Sequence, residues 1–187
     1  MIIEKLLGNQ SVIIALDIDN FLFDRLDHIS DSGFDLVEIN STDANLLAKI
    51  KDQYPTLKIG ASGIIDTQQL EQCYQAGVLF ASSPGFLPPV AQTASVYSMC
   101  YFPGVATLSE AMAAIHLGFQ QVRPCPANQV FCNMLNKYLP KLSLFPTEIE
   151  WNEAEHYLNI PTVAAVVIHN PDKKQLNALA NLAHSII

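Results

Sequence analysis

Two charged residues interrupt apolar stretches of this 187-residue chain: Glu38 in DLVEI and Arg123 in QQVRP. A charge inside a buried strand is expensive unless it is paired, so the simplest arrangement is that these two meet. Such a pair offers chemistry. The carboxylate can move a proton, and the guanidinium can steady a developing negative charge or grip a carboxylate with two parallel hydrogen bonds. The plain alternative is a buried ion pair that only holds the fold. Around them stand weaker candidates. His169 follows the apolar run VAAVVI and is either a ligand or an ordinary core or loop histidine. Asp17 and Asp19 follow VIIAL, where capping of the next helix is the plain reading. Cys125 lies close to Arg123, a cation that lowers a thiol pKa, although an inert buried thiol fits as well.

Something must bring these residues together. Short apolar runs over 12–16, 36–39, 57–61, 79–82, 98–102, 121–123, 142–145 and 163–168 read as strands buried on both faces, hence parallel. Between them, apolar residues recur at helical spacing, as in Leu46, Leu47 and Ile50. Asp66 and Thr107 mark helix starts, the second with Glu110 as a capping box. Gly77 and Gly118 mark stops, and Pro171 fits the first turn of the last helix. About eight βα units close most naturally as a compact (β/α)8 TIM barrel, one domain over 1–187, below the usual ~200-residue minimum. An open doubly wound sheet is the runner-up, but no G-x-G-x-x-G follows the first strand. In a barrel, chemistry gathers at the C-terminal strand ends. Those ends carry Asp17, Asp19, Glu38, Asn40, Ser62, Ser83, Pro84, Phe102, Pro103, Arg123, Thr147, Glu148, His169 and Asn170.

Composition narrows the function. Half the residues are hydrophobic, which excludes a disordered chain. The formal charge is −8 and only two arginines are present, so neither nucleic acid nor an anionic membrane is an expected partner. The longest apolar runs fall far short of the ~20 residues of a membrane helix. No signal peptide is read in MIIEKLLGNQ. The 4 cysteines form no C-x-x-C and lie near no histidine at zinc spacing, which suits reduced thiols in the cytoplasm.

The segments SPG at Ser83–Gly85, PGVAT at Pro103–Thr107 and the following SEAMAA and LG resemble 2-keto-3-deoxy-6-phosphogluconate/4-hydroxy-2-oxoglutarate aldolase. VEI around Glu38, IGAS at Ile59–Ser62, QLEQCYQAG at Gln69–Gly77 and PA at Pro126–Ala127 support it, in order along nearly the whole chain. The resemblance implies a (β/α)8 barrel, commonly a trimer, that cleaves a 2-keto acid to pyruvate and an aldehyde. It also implies a strand-six lysine as Schiff-base nucleophile and a strand-two glutamate as proton shuttle. Glu38 matches the glutamate, whereas Arg123 in RPCPA stands at the lysine position. A guanidinium stays protonated and its lone pairs are delocalised, so it cannot attack a ketone. Other positions also depart from the family. Thr42 stands for a substrate-holding arginine and Gly63 for a threonine. Pro146-Thr147-Glu148-Ile149 replaces P-T-G-G-I, and Val167-Ile168-His169 replaces G-G-S, where glycines would let a phosphate approach the backbone.

The leading expectation is an aldolase-like protein without Schiff-base chemistry that binds a small 2-keto acid. Glu38 and Arg123 would be at its centre, with Pro84, Thr147, Ser62 and Pro103 around the substrate. It calls for no cofactor and no metal. The alternative is a working, pyruvate-forming lyase that uses Glu38 as base without a lysine, helped by Arg123 or by a metal on Asp17, Glu38 or His169. A third reading is a structural protein with a filled pocket.

Overall fold

A computed structural model describes residues 3–185, with side chains as far as Asn181. Strand β1 (Val12–Leu16) is buried along its whole length, as is β2 (Leu36–Ile39), and both match the apolar runs residue for residue. With β3 (Lys58–Ala61), β4 (Phe80–Ser82), β5 (Cys100–Phe102) and β9 (Val166–His169) they form a parallel sheet in the order β5-β4-β3-β2-β1-β9. Three further strands, β6 (Gly104–Val105), β7 (Gln121–Pro124) and β8 (Ser143–Leu144), form a second parallel set in the order β6-β7-β8. The sheet is curled. Its two parts approach where Leu144 donates to Thr162 O at 2.8 Å and accepts from Ala164 N at 3.0 Å, just ahead of β9. The expected fifth strand, 98–102, is present as β5, and the separate β6 that follows was not expected: Pro103 has no N–H to donate and interrupts the ladder between them. Its carbonyl still accepts from Arg123 N at 2.9 Å.

Helices cover the outer face: α2 (Leu22–Ser30), α3 (Ala44–Gln53), α4 (Thr67–Gln75), α5 (Pro88–Val96), α6 (Leu108–His116), α7 (Gln129–Tyr138), the short α8 (Ala154–Leu158) and α9 (Lys173–Ser185). The expected caps are present. Asp66 Oδ1 accepts from Gln69 N at 2.8 Å, and Thr107 and Glu110 satisfy each other's backbone at the start of α6. Pro171 is a correction. It precedes the helix, and the cap is Asp172, paired reciprocally with Gln175, because a carboxylate can accept from the first free N–H groups and proline cannot. Residues 186–187 of that expected helix lie outside the described residues.

The apolar interior divides in two. One cluster lies between sheet and helices. The other lines the inside of the curl and includes Ile13, Ala15, Leu36, Phe80, Phe102, Phe145 and Val167. Leu6 and Leu7 of α1 (Ile3–Leu7) join this inner cluster, so that helix helps to close it; no such helix was expected from sequence. Alternation along the strands then fixes what else points inward. Leu36 and Glu38 share a face, and so do Phe80 and Ser82. Gly104 makes the C-terminal rim possible. A Cβ there would lie 2.4 Å from Pro84 C and 2.5 Å from Ser83 O. Backbone cannot yield as a side-chain tip can, so Gly104→Ala should lower stability by about 1–3 kcal/mol, read from the urea midpoint at unchanged slope.

Candidate functional site

Glu38 and Arg123 meet inside the curl, fully buried at 0% and 4% exposure. Arg123 Nη1 donates to Glu38 Oε1 at 2.6 Å and Nη2 to Oε2 at 2.5 Å. Ser82 completes the set: its Oγ accepts from Nη1 at 2.8 Å and donates to Oε2 at 3.2 Å. The Phe102 ring centroid lies 5.9 Å from the guanidinium carbon. Both carboxylate oxygens and both terminal guanidinium nitrogens therefore already have partners. Glu38 takes the outer edge of the guanidinium, because a buried cation takes the nearest anion on hand, and Arg123 Nε–H is buried without a partner among the described residues.

A cavity of about 270 Å3 opens onto this pair, lined also by Asn40, Ser62, Gly63, Ser82, Ser83, Pro84, Cys125, Thr147, Glu148 and His169. Ser62, Pro84 and Thr147 thus stand where the strand ends were expected to place them. Pro103 does not line the cavity; it is buried behind it and acts through its carbonyl. No lysine lines the cavity. Lys58 is at the start of β3, paired to Asp35 at 2.9 Å, at the opposite strand end from the rim. A larger cavity, about 370 Å3 between Ile115, Phe119, Tyr138 and Pro140, has no carboxylate, thiol or imidazole on its wall.

At one side of the site, His169 Nε2 is 3.0 Å from Thr147 Oγ1 and 3.4 Å from Glu148 Oε1. Glu148 holds φ at +59°, the left-handed region that favours glycine. At the rim, Asp17 accepts from Asn40 at 3.0 Å and from Asn170 at 2.8 Å, while Arg25 pairs with Asp19 at 2.9 Å. Asp17 does not cap α2, whereas Asp19 Oδ1 accepts from Phe21 N at 2.8 Å and its carbonyl from Leu22 N at 3.3 Å, at the start of that helix. Burial pushes the Cys125 thiol up against the opposing pull of Arg123, which supports the inert reading. Burial also pushes Tyr101 up to about 12, and its hydroxyl donates to Ser83 Oγ at 2.6 Å. Among the described residues, no group of three or more His, Cys, Asp or Glu is placed to hold a metal ion. No described helix is long and apolar enough to cross a membrane.

The hydrogen bond from Asn40 holds the Asp17 carboxyl below its ordinary 3.8. A depressed folded-state value means that the unfolded chain binds more protons in that range, so this contribution is complete above the unfolded pKa and is lost as pH falls through the folded one. Asp17→Asn should therefore destabilise the protein at neutral pH, and the gap from the parent should shrink in unfolding curves taken in acid.

The sequence reading missed Ser82, although period-two counting from inward-facing Phe80 reaches it. It missed the His169–Thr147 contact, which no local signal announces.

The family model for KDPG and KHG aldolase matches residues 3–178. The chain belongs to this family. The 2-dehydro-3-deoxy-phosphogluconate aldolase of Pseudomonas aeruginosa is 25% identical over 162 residues, covering 82% of this chain and 74% of that protein. The KHG/KDPG aldolase of Escherichia coli K12 is 32% identical over 78 residues, 42% of this chain and 37% of that protein. The fold agrees with that of a KDPG aldolase from Legionella pneumophila, a structure with pyruvate captured as a covalent carbinolamine. Its TM-score is 0.84 at 22% identity, over 100% of this chain and 98% of that one. As a KDPG/KHG aldolase family member, the chain has a curled parallel α/β sheet with its polar cavity at the C-terminal strand ends.

Proposed function

We propose that this protein keeps the aldolase cavity for a small 2-keto acid and lacks the Schiff-base step. The observation that carries this reading is the doubly bonded, buried Glu38–Arg123 pair in a cavity without lysine. Carbinolamine formation needs a neutral nitrogen with a free lone pair. Lysine supplies one when its pKa is lowered, and guanidinium stays protonated. Glu38 is engaged as well: Oε1 accepts from Arg123 and Oε2 from Arg123 and Ser82, so of its roughly four acceptor sites one, on Oε1, is left to take a proton. The donors left for a ligand are the Ser83 hydroxyl, the second N–H of the Asn40 amide and the unpartnered Arg123 Nε–H, since the Ser62 hydroxyl already donates to Asn40 Oδ1 at 3.5 Å and Thr147 Oγ1 lies 3.0 Å from His169 Nε2. We read the two parts of the sheet as one (β/α)8 barrel, a single domain over 1–187, assembling as a trimer like its family.

The test is to incubate the protein with pyruvate and borohydride and measure its mass. The expected result is no adduct, together with a rise in Tm when pyruvate is present. An adduct on any lysine would overturn the reading. Chelator-sensitive cleavage of 4-hydroxy-2-oxoglutarate would replace it with a metal-assisted lyase.

A further inference from the structure

A second cavity, about 200 Å3, adjoins the first and is lined by Glu148, Ile149, Glu150, Trp151, Ile168, His169 and Gln175. The two cavities share two wall residues, Glu148 and His169. The partition between them is thus a carboxylate and an imidazole with Oε1 and Nε2 3.4 Å apart. Glu148 is 59% exposed on its side chain, so its carboxylate has solvent within reach beside this contact.

We propose that Glu148 and His169 form a proton-operated partition that sets how long a ligand the site accepts. This rests on the keto-acid reading of the site. With the imidazole charged, Nε2–H donates to Glu148 and the ion pair closes the wall. With the imidazole neutral and its proton on Nδ1, Nε2 accepts from the Thr147 hydroxyl, 3.0 Å away. Nε2 and Oε1 are then two acceptors facing each other without a proton. The carboxylate swings towards solvent, and the cavities join. An imidazole is charged in acid and neutral in alkali, so the wall closes as pH falls and opens as it rises. The other ionisable groups facing His169 are few. Asp17 at the end of β1 attracts its charged form. Across the first cavity, Glu38 on β2 and Arg123 on β7 cancel each other, beside the Cys125 thiol. In the second cavity, Glu150 adds attraction for the charged form. With the wall closed, the site takes a ligand of pyruvate's size. With it open, a longer 2-keto acid extends past His169 to Trp151. The tail carries no phosphate, since Glu148 and Glu150 would repel one.

Trp151 is the chain's single tryptophan and lines the second cavity, so it reports the opening without a ligand. Acrylamide quenching of its fluorescence should rise roughly twofold between about pH 5.5 and 8. His169→Gln and Glu148→Ala should each flatten that dependence, and either variant suffices if the other does not fold. Quenching that ignores pH in the parent, or that keeps its pH dependence in a folded variant, overturns the proposal. In a second arm, calorimetry compares pyruvate with non-phosphorylated 2-keto-3-deoxygluconate. The longer acid should gain affinity relative to pyruvate as pH rises, and an unchanged ratio counts against the partition. If neither acid binds at any pH, the keto-acid reading fails, and the quenching result alone decides the partition.

Discussion

Arg123→Lys, incubated with pyruvate and borohydride, should gain the mass of a reduced pyruvyl group at position 123, where the parent protein gains none. The argument is about one nitrogen. A lysine amine shares the cavity wall with Ser82 and Glu38, and burial favours its neutral form while the Glu38 carboxylate favours its charged one. The neutral fraction grows with pH, so trapping should accelerate from neutral towards alkaline solution and level off once the amine is mostly free. The substitution also changes the carboxylate. Glu38 now receives bonds on two oxygens from two guanidinium nitrogens. A single ammonium cannot span both with the same geometry, so one oxygen is released to move a proton. The variant must be shown folded by its unchanged circular dichroism, because Lys for Arg at a bidentate site is not a conservative change. A folded variant that traps nothing at any pH would mean that the cavity no longer presents a ketone to position 123, and the ligand assigned to it would be wrong.

The fold was legible where local pattern decides it. Strand 12–16 is apolar throughout, and 36–39 is apolar but for Glu38, because helices cover one face and the inner cluster the other, and their limits agree with the apolar runs. The capping box at Thr107 is a four-residue signal and was equally plain. Closure of the sheet was less so, since its two parts approach through a few backbone bonds near Leu144 that no residue type demands. In the site, the cost of burying Glu38 and Arg123 pointed to their pairing. Sequence could not show that the pairing takes both terminal nitrogens and leaves Nε–H buried without a partner, because that depends on geometry between residues 85 positions apart. The same holds for Glu148. Its place in PTEI puts a carboxylate where the family resemblance places a phosphate, but only the structure sets it against His169 in a left-handed backbone.

Breaking the buried pair from either side should be the most damaging single change. Glu38→Leu leaves a guanidinium at 4% exposure without its anion, and Arg123→Met leaves a carboxylate at 0% without its cation. Each should cost about 3–5 kcal/mol, a large share of the roughly 5–15 kcal/mol that holds a typical domain folded. The double variant Glu38→Leu/Arg123→Met should recover most of that loss, since neither charge remains to be desolvated. One penalty persists. Ser82 Oγ bonds to both members of the pair, and in the double variant it is a buried hydroxyl without partners, worth about 1–3 kcal/mol. Adding Ser82→Ala should remove that remainder and bring the triple variant to the parent's stability or above it. Urea unfolding of the series measures each step, and single losses under about 1 kcal/mol would show that the pair is solvated in solution. If the triple variant is as stable as the parent, the fold does not need these three polar side chains. Their burial at the cavity wall is then explained by what the cavity binds.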